Sequence, residues 1–360
     1  MVSPRDPEAF RAEVLRRAMR IERRRRRLRV LVTVPVLVSA LLAVLLVGSL
    51  RNGSADHVTA DGNVPAGAGL TSEVVPIQGL DPLSVSARPD GSLWVLGRDE
   101  RSDRMTLGTV TNDLWQPVVA LPADARPQLI VSSANGAAWM TDPAGHRVLR
   151  VEADGTTTSF PTEAAPSAGG VLGGDRRFWF AEPTGDRLVA INDDGHRVPY
   201  PVPTGRHPEL VALAPNGSVA YGASGADELG TVSPTGSVVE YALATADARV
   251  VALAPGPGPA LWFAMSSENG VRLGRVSAKG TLDDEGALGN GPPSSMALGP
   301  DGRLWFSTAA ERVVRQRSLA RLTARPIDRT LDATSWALTP DGTMWAADRS
   351  TKQLLRISSD

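Results

Sequence analysis

The chain has no cysteine, two lysines, three tyrosines and four histidines in 360 residues. Without cysteine there is no disulfide framework, no thiolate zinc site and no cysteine nucleophile. The lysines are Lys279 and Lys352, so the other 36 of the 38 basic residues are arginine. With abundant alanine and glycine, that bias points to a GC-rich bacterial genome and says nothing of chemistry. The histidines are His57, His146, His196 and His207, a thin supply for acid–base or metal work. There is no HExxH, no GxSxG and no phosphate loop. The glycine-rich stretch 169–174 lies between strand patterns with no helix after it.

Charge is unevenly placed. Residues 1–29 hold 11 arginines against Asp6, Glu8, Glu13 and Glu22, a net of +7, and the remainder is −8. No basic patch beyond residue 29 suggests a nucleic-acid partner. Residues 30–50, VLVTVPVLVSALLAVLLVGSL, carry no charge over 21 positions. A helix of that length crosses a hydrocarbon core of about 30 Å. Arginines 23–27 and Arg29 precede it and only Arg51 follows closely. The arginine side stays cytoplasmic, so everything after Arg51 is expected outside. The run is too long and its lead too extended for a cleaved signal peptide. The expectation is a single-pass membrane anchor. Before it, Phe10, Val14, Ala18 and Ile21 form one apolar stripe of a basic cytoplasmic helix over 7–29. That helix either rests on anionic headgroups or docks a cytoplasmic partner. Residues 51–70 are small and polar and read as a flexible linker.

The rest, 71–360, repeats. SVSARPDGSLWVLG from Ser84, SMALGPDGRLWFST from Ser295 and WALTPDGTMWAAD from Trp336 are copies of one hairpin. An apolar strand ends at Asp-Gly, where glycine supplies a positive φ, and a second strand starts at an aromatic. The marker positions are Trp94, Trp139, Trp179, Ala220, Trp262, Trp305 and Trp345, spaced 45, 40, 41, 42, 43 and 40 apart. A third strand such as HRVLRVEADG from His146 and a fourth such as TTTSFPT from Thr156 complete each copy. Four short strands per unit of this length predict a propeller blade. The last copy stops after its third strand, at LLRISSD, while SEVVPI from Ser72 precedes the first copy. The predicted fold is an all-β, seven-bladed β-propeller whose N-terminal strand closes the last blade and leaves no open edge.

WFAEPTGDRLVAINDDG from Trp179 and GPDGRLWFST from Gly299 resemble the repeat of the virginiamycin B (streptogramin) lyase family, a group of seven-bladed propellers; NHL-like propellers share the unit. The resemblance implies elimination that opens a cyclic depsipeptide with Mg²⁺. It places histidines directly after the proline that opens certain blades, and a glutamate just past the Trp-Phe pair. Here the residues after that proline are Leu83, Gln128, Ser167, Glu209 and Ser294, with Arg249 and Thr334 where the proline is missing. None is histidine, and His207 precedes Pro208 instead of following it. Three past the marker stand Gly97, Asp142, Glu182, Ala223, Met265, Thr308 and Asp348.

In a hairpin the start of strand one and the end of strand two share one end, so these residues belong on one rim of a central channel. The candidate rim residues are Gln128, Asp142, Glu182, His207, Glu209 and Asp348. Asp142, Glu182 and Asp348 are the candidate ligands for a hard cation, or else carboxylates that cap strand ends and pair with arginines such as Arg126, Arg206 and Arg349. Mg²⁺ is expected only if lyase chemistry is retained. The leading expectation is a non-catalytic, exported module that binds a ligand or an envelope partner and that senses through the anchor. The alternatives are a divergent lyase that uses carboxylates, and an envelope scaffold. A third is a regulator whose layout resembles that of actinobacterial membrane-bound anti-sigma factors.

Overall fold

A computed structural model describes residues 69–359, except 225–226, 244, 246, 289–290, 309–310 and 319–321. The expected cytoplasmic helix, membrane span and most of the linker lie outside the described residues. Among those described, no helix is long and apolar enough to cross a membrane.

The described part is all-β apart from one 3-10 turn, Pro183–Gly185. Five of its sheets are four-stranded antiparallel meanders, at 80–120, 131–161, 170–201, 208–242 and 249–287. They coincide with the first five sequence repeats. A sixth sheet has eight strands and joins the repeat at 293–331 to the one at 333–359. Its junction is the strand Leu70–Val75. That strand meets the sixth repeat through a single parallel pair, Leu70 with Ile327, and lies antiparallel to Gln353–Ser359 along its whole length. Val74 faces Leu355 and Val75 faces Leu354, so the first strand supplies the fourth strand that the last repeat lacks. Pairing begins at Leu70, which is already buried.

The first strands of the repeats adjoin in a closed series, each beside the next and the last beside the first. The arrangement is propeller-like. Neighbouring first strands are stitched by hydroxyls: Ser84 and Ser86 Oγ accept from the N–H of Ile130 and Ser132, at 3.2 and 2.9 Å. Ser335 Oγ bridges Val85, accepting from its N–H at 3.2 Å and donating to its carbonyl at 3.1 Å. These small side chains satisfy backbone groups that strand pairing leaves over.

The marker tryptophans fill the space between sheets. Trp94 packs on Ala138, Met140 and Leu149 of the next repeat, and its indole N–H donates to Gly136 O at 2.8 Å. Trp345 packs on Val85 and Val95 of the first repeat, which closes the circle. Truncating such a fully buried tryptophan costs on the order of 3–5 kcal/mol. In the fourth repeat Ala220 meets Phe263, and the larger neighbour makes up the volume. The hairpin glycine is at positive φ in five copies, Gly91, Gly136, Gly217, Gly302 and Gly342, and Arg176 takes the same conformation in the third.

Candidate functional site

The predicted rim is built by a feature the sequence does not announce. In five repeats the first strand carries a register shift where it opens, between Pro82/Ser84, Pro208/Leu210, Val250/Ala252, Pro293/Met296 and Ala333/Ser335. A bulge residue leaves the ladder and its side chain is re-aimed. Leu83, Glu209, Ser294 and Thr334 are such residues. In the fifth repeat the sequence reading needs correction. Val250 pairs with Met265, three past the marker, just as Pro82 pairs with Gly97. The bulge residue is therefore Val251, not Arg249.

Three of these bulge residues converge with Gln128, which follows the opening proline of the second repeat. Leu83, Gln128, Ser294 and Thr334 line one cavity of about 500 Å³ together with Met105, Pro127, Leu129, Arg98, Arg126 and Arg349. Their repeats are neighbours across the ring closure: sixth, seventh, first and second. Thr334 Oγ1 donates to Leu83 O at 2.8 Å, which fixes the seam below the opening. Ser294 Oγ donates to Asp332 Oδ1 at 2.7 Å. Volume and mixed lining suit a small-molecule pocket. Among the described residues, no carboxylate and no histidine lines it.

The expected acid rim is elsewhere. Asp142 is wholly buried. Its Oδ1 accepts from the N–H of Arg126 at 2.9 Å, and its Oδ2 from Arg147 Nε at 2.8 Å. Asp348 is also wholly buried and accepts from the N–H groups of Asp332 (2.8 Å), Ser350 (3.1 Å) and Thr351 (3.2 Å). Each carboxylate thus pins the residue just before the opening of its own first strand. Where the fourth repeat has Ala223, Asp186 does the same work, accepting from the N–H of Gly205 at 2.7 Å and His207 at 2.8 Å. Burial pushes the Asp186 carboxyl upward, but those N–H donors and the neighbouring His207 outweigh it and hold it below its ordinary value. Glu182 is buried and accepts from Arg187 Nε at 2.6 Å, while Arg187 also reaches Glu163 at 2.7 Å. It borders a separate cavity of about 350 Å³ that includes His196.

Of the six candidate rim residues, only Gln128 lines the 500 Å³ cavity. His207 sits at positive φ with Nδ1 3.1 Å from Pro183 O. Glu209 forms an exposed ion pair with Arg249 at 2.7 Å. The acids do pair with arginines, but with Arg147 and Arg187. Arg126 contributes its backbone N–H to Asp142, Arg206 pairs with Glu228 and Glu240, and Arg349 makes no ion pair among the described residues. Two spacings carried this information: the 16 residues separating Arg126 from Asp142 and Asp332 from Asp348, and the five separating Asp142 from Arg147 and Glu182 from Arg187.

The structure does not bring Asp142, Glu182 and Asp348 together. They stand in the second, third and seventh repeats, and no group of three or more acidic or histidine side chains placed to hold a metal ion occurs among the described residues. The residues at the cavity therefore do not fit the Mg²⁺ that the repeat resemblance implies. Among the described residues, three arginines and no carboxylate line the cavity, whereas a hard cation needs oxygen ligands.

The model of the virginiamycin B lyase family matches residues 69–357. The chain belongs to the virginiamycin B lyase family. A virginiamycin B lyase of Nocardia farcinica is 32% identical over 239 residues, covering 64% of this chain and 78% of that protein. The virginiamycin B lyase of Staphylococcus aureus is similar in structure, with a TM-score of 0.70 at 19% identity over 82% of this chain and all of the other. A streptogramin B lyase structure gives the same score at 18% identity over 81% of this chain and 98% of its own. At those identities the structures speak for the fold. Within the virginiamycin B lyase family, this chain keeps the repeat and has Leu83, Gln128, Ser294 and Thr334 at the cavity.

Proposed function

We propose that this family member is a membrane-tethered, seven-bladed propeller that binds a ligand at one mouth of its channel and does not carry out the lyase reaction. One observation carries the reading. Four blade-opening positions, three of them after the opening proline and the fourth after Ala333, meet around a single cavity, and their side chains are leucine, glutamine, serine and threonine. None can take up a proton near neutral pH as a general base must. The seven-blade count is supported by the closed series of first strands and by the pairing of Leu70–Val75 with the last repeat. The tether is supported by the 21 uncharged residues after the arginine run. In this reading the propeller faces outward, and residues 7–29 report occupancy to a cytoplasmic partner.

The test uses the full-length chain in detergent, incubated with a streptogramin B depsipeptide and Mg²⁺. Ring opening at the rate of the protein-free blank is expected; accumulation of linear product overturns the proposal. Orientation is checked with His57→Cys, the only thiol in such a chain. A membrane-impermeant maleimide should label it in intact cells, and protection from labelling would reverse the topology.

The second reading is a divergent lyase, favoured by the 32% identity to a virginiamycin B lyase. Its proposed carboxylate bases are Glu182 and Asp348, which are 2% and 0% exposed. Both are engaged by donors of the scaffold, so loss of turnover on mutating them would need a parallel unfolding measurement before it could be read as chemistry.

A further inference from the structure

We infer that the 500 Å³ cavity takes an oxyanion, a carboxylate- or phosphate-bearing molecule with a small apolar body. The inference rests on the ligand-binding reading above and names the chemistry of its ligand. Three arginines, Arg98, Arg126 and Arg349, share the lining with apolar Leu83, Met105, Pro127 and Leu129. The acids nearby are committed elsewhere. Asp142 and Asp348 are buried against backbone N–H groups, and Asp332 accepts from Ser294. Neither Arg126 nor Arg349 has an ion-pair partner among the described residues.

Arg126 donates through Nη1 to the carbonyls of Ala123 and Ala125, at 2.8 and 2.7 Å. Those bonds hold the guanidinium in place and leave part of its five-donor fork unused. Arg98 pairs with Asp103 at 3.0 Å, but both side chains are exposed, so that pair is weak and yields readily to a competing anion. A guanidinium fork matches carboxylate and phosphate oxygens two at a time. Three like charges around one concavity also raise the local concentration of anions. The Gln128 amide and the Ser294 and Thr334 hydroxyls can orient the rest of the ligand, and the apolar wall accepts its body.

The test is calorimetric titration of the full-length chain in detergent with three probes that share a phenyl body. They are N-acetylphenylalanine, its neutral amide, and phenyl phosphate. At low salt the two anions should bind, and the amide should bind at least about tenfold more weakly, the equivalent of 1.4 kcal/mol. The better anion identifies the headgroup. Arg349→Gln and Arg126→Gln should each lower anion affinity about tenfold. The Arg349 side chain makes no hydrogen bond or ion pair among the described residues, so its variant should melt like the parent. Gln128→Glu, which puts a carboxylate into the lining, should abolish anion binding. Equal binding of acid and amide overturns the inference while the ligand-binding reading stands. Absence of anion binding at roughly millimolar probe overturns it too. Ring opening of a depsipeptide strikes the other reading and leaves this one intact.

Discussion

Two sets of residues occupy the same end of the blade-like repeats and do opposite work. Three past the marker tryptophan, Asp142, Glu182 and Asp348 point into the scaffold and satisfy buried donors. One strand away, Leu83, Ser294 and Thr334 stand on bulges and, with Gln128, line a cavity edged by arginines. A carboxylate at a strand end is thus no sign of a reactive rim. Where backbone N–H groups lie within its reach, their desolvation cost draws it inward. The bulge, by taking a residue out of the ladder, frees its side chain for the opening.

Removing an inward acid should hurt stability most. Asp348→Ala strips the acceptor from three backbone N–H groups in a wholly buried place and should cost about 3 kcal/mol. Urea unfolding measures this. A loss below about 0.5 kcal/mol, the range of ordinary surface changes, would dissolve the distinction between the two sets. Glu182→Gln should cost less, about 2 kcal/mol, because Arg187 keeps Glu163 and is partly solvated. Anion binding at the cavity should not change in the folded protein.

Acid should separate the sets in another way. Asp186 is held below its ordinary value, so its contribution is fully present above the unfolded pKa of about 3.9 and disappears as pH falls through the lowered folded value. Melting temperature should therefore hold down to about pH 5 and drop below pH 4, and Asp186→Asn should flatten that drop. Among the described residues, no carboxylate and no histidine lines the cavity. Binding of a sulfonate-bearing probe should stay level over the interval where the fold remains intact. A parallel fall in both would tie the cavity to the acids after all.

The fold was readable because its signals are local and repeated. Glycine at the hairpin and tryptophan at the second strand recur in most copies, a stray strand precedes the first, and the predicted pairing of Val74 and Val75 with 354–357 is seen directly. The site was readable only in outline. Counting from the opening of each repeat put Leu83, Gln128, Ser294 and Thr334 in equivalent places, but only Gln128 stood among the candidates. It misplaced the fifth repeat, since a bulge shifts the count by one and no proline marks it there; only the pairing of Val250 with Met265 sets Val251 in place. The fate of the acids depended on which N–H groups curve back towards them, a property of the loop leading into each first strand and not of the motif.

The smallest stability effect belongs to Gln128→Ala. Gln128 is exposed, and its side chain makes no hydrogen bond to the described protein, so unfolding free energy should move by less than about 0.5 kcal/mol. Yet it lies between Arg126 and the apolar wall of Leu129 in the cavity lining. Its amide should contribute one neutral hydrogen bond to a bound anion, about 1 kcal/mol or a fivefold change in affinity. Asp348→Ala, at the same end of a neighbouring sheet, should show the reverse: a large loss of stability, with affinity kept by whatever fraction stays folded. Measuring both quantities on both variants gives a crossed result if scaffold and mouth are separate sets. If Gln128→Ala lowers stability as much as it lowers affinity, the cavity is part of the packing and not an open site.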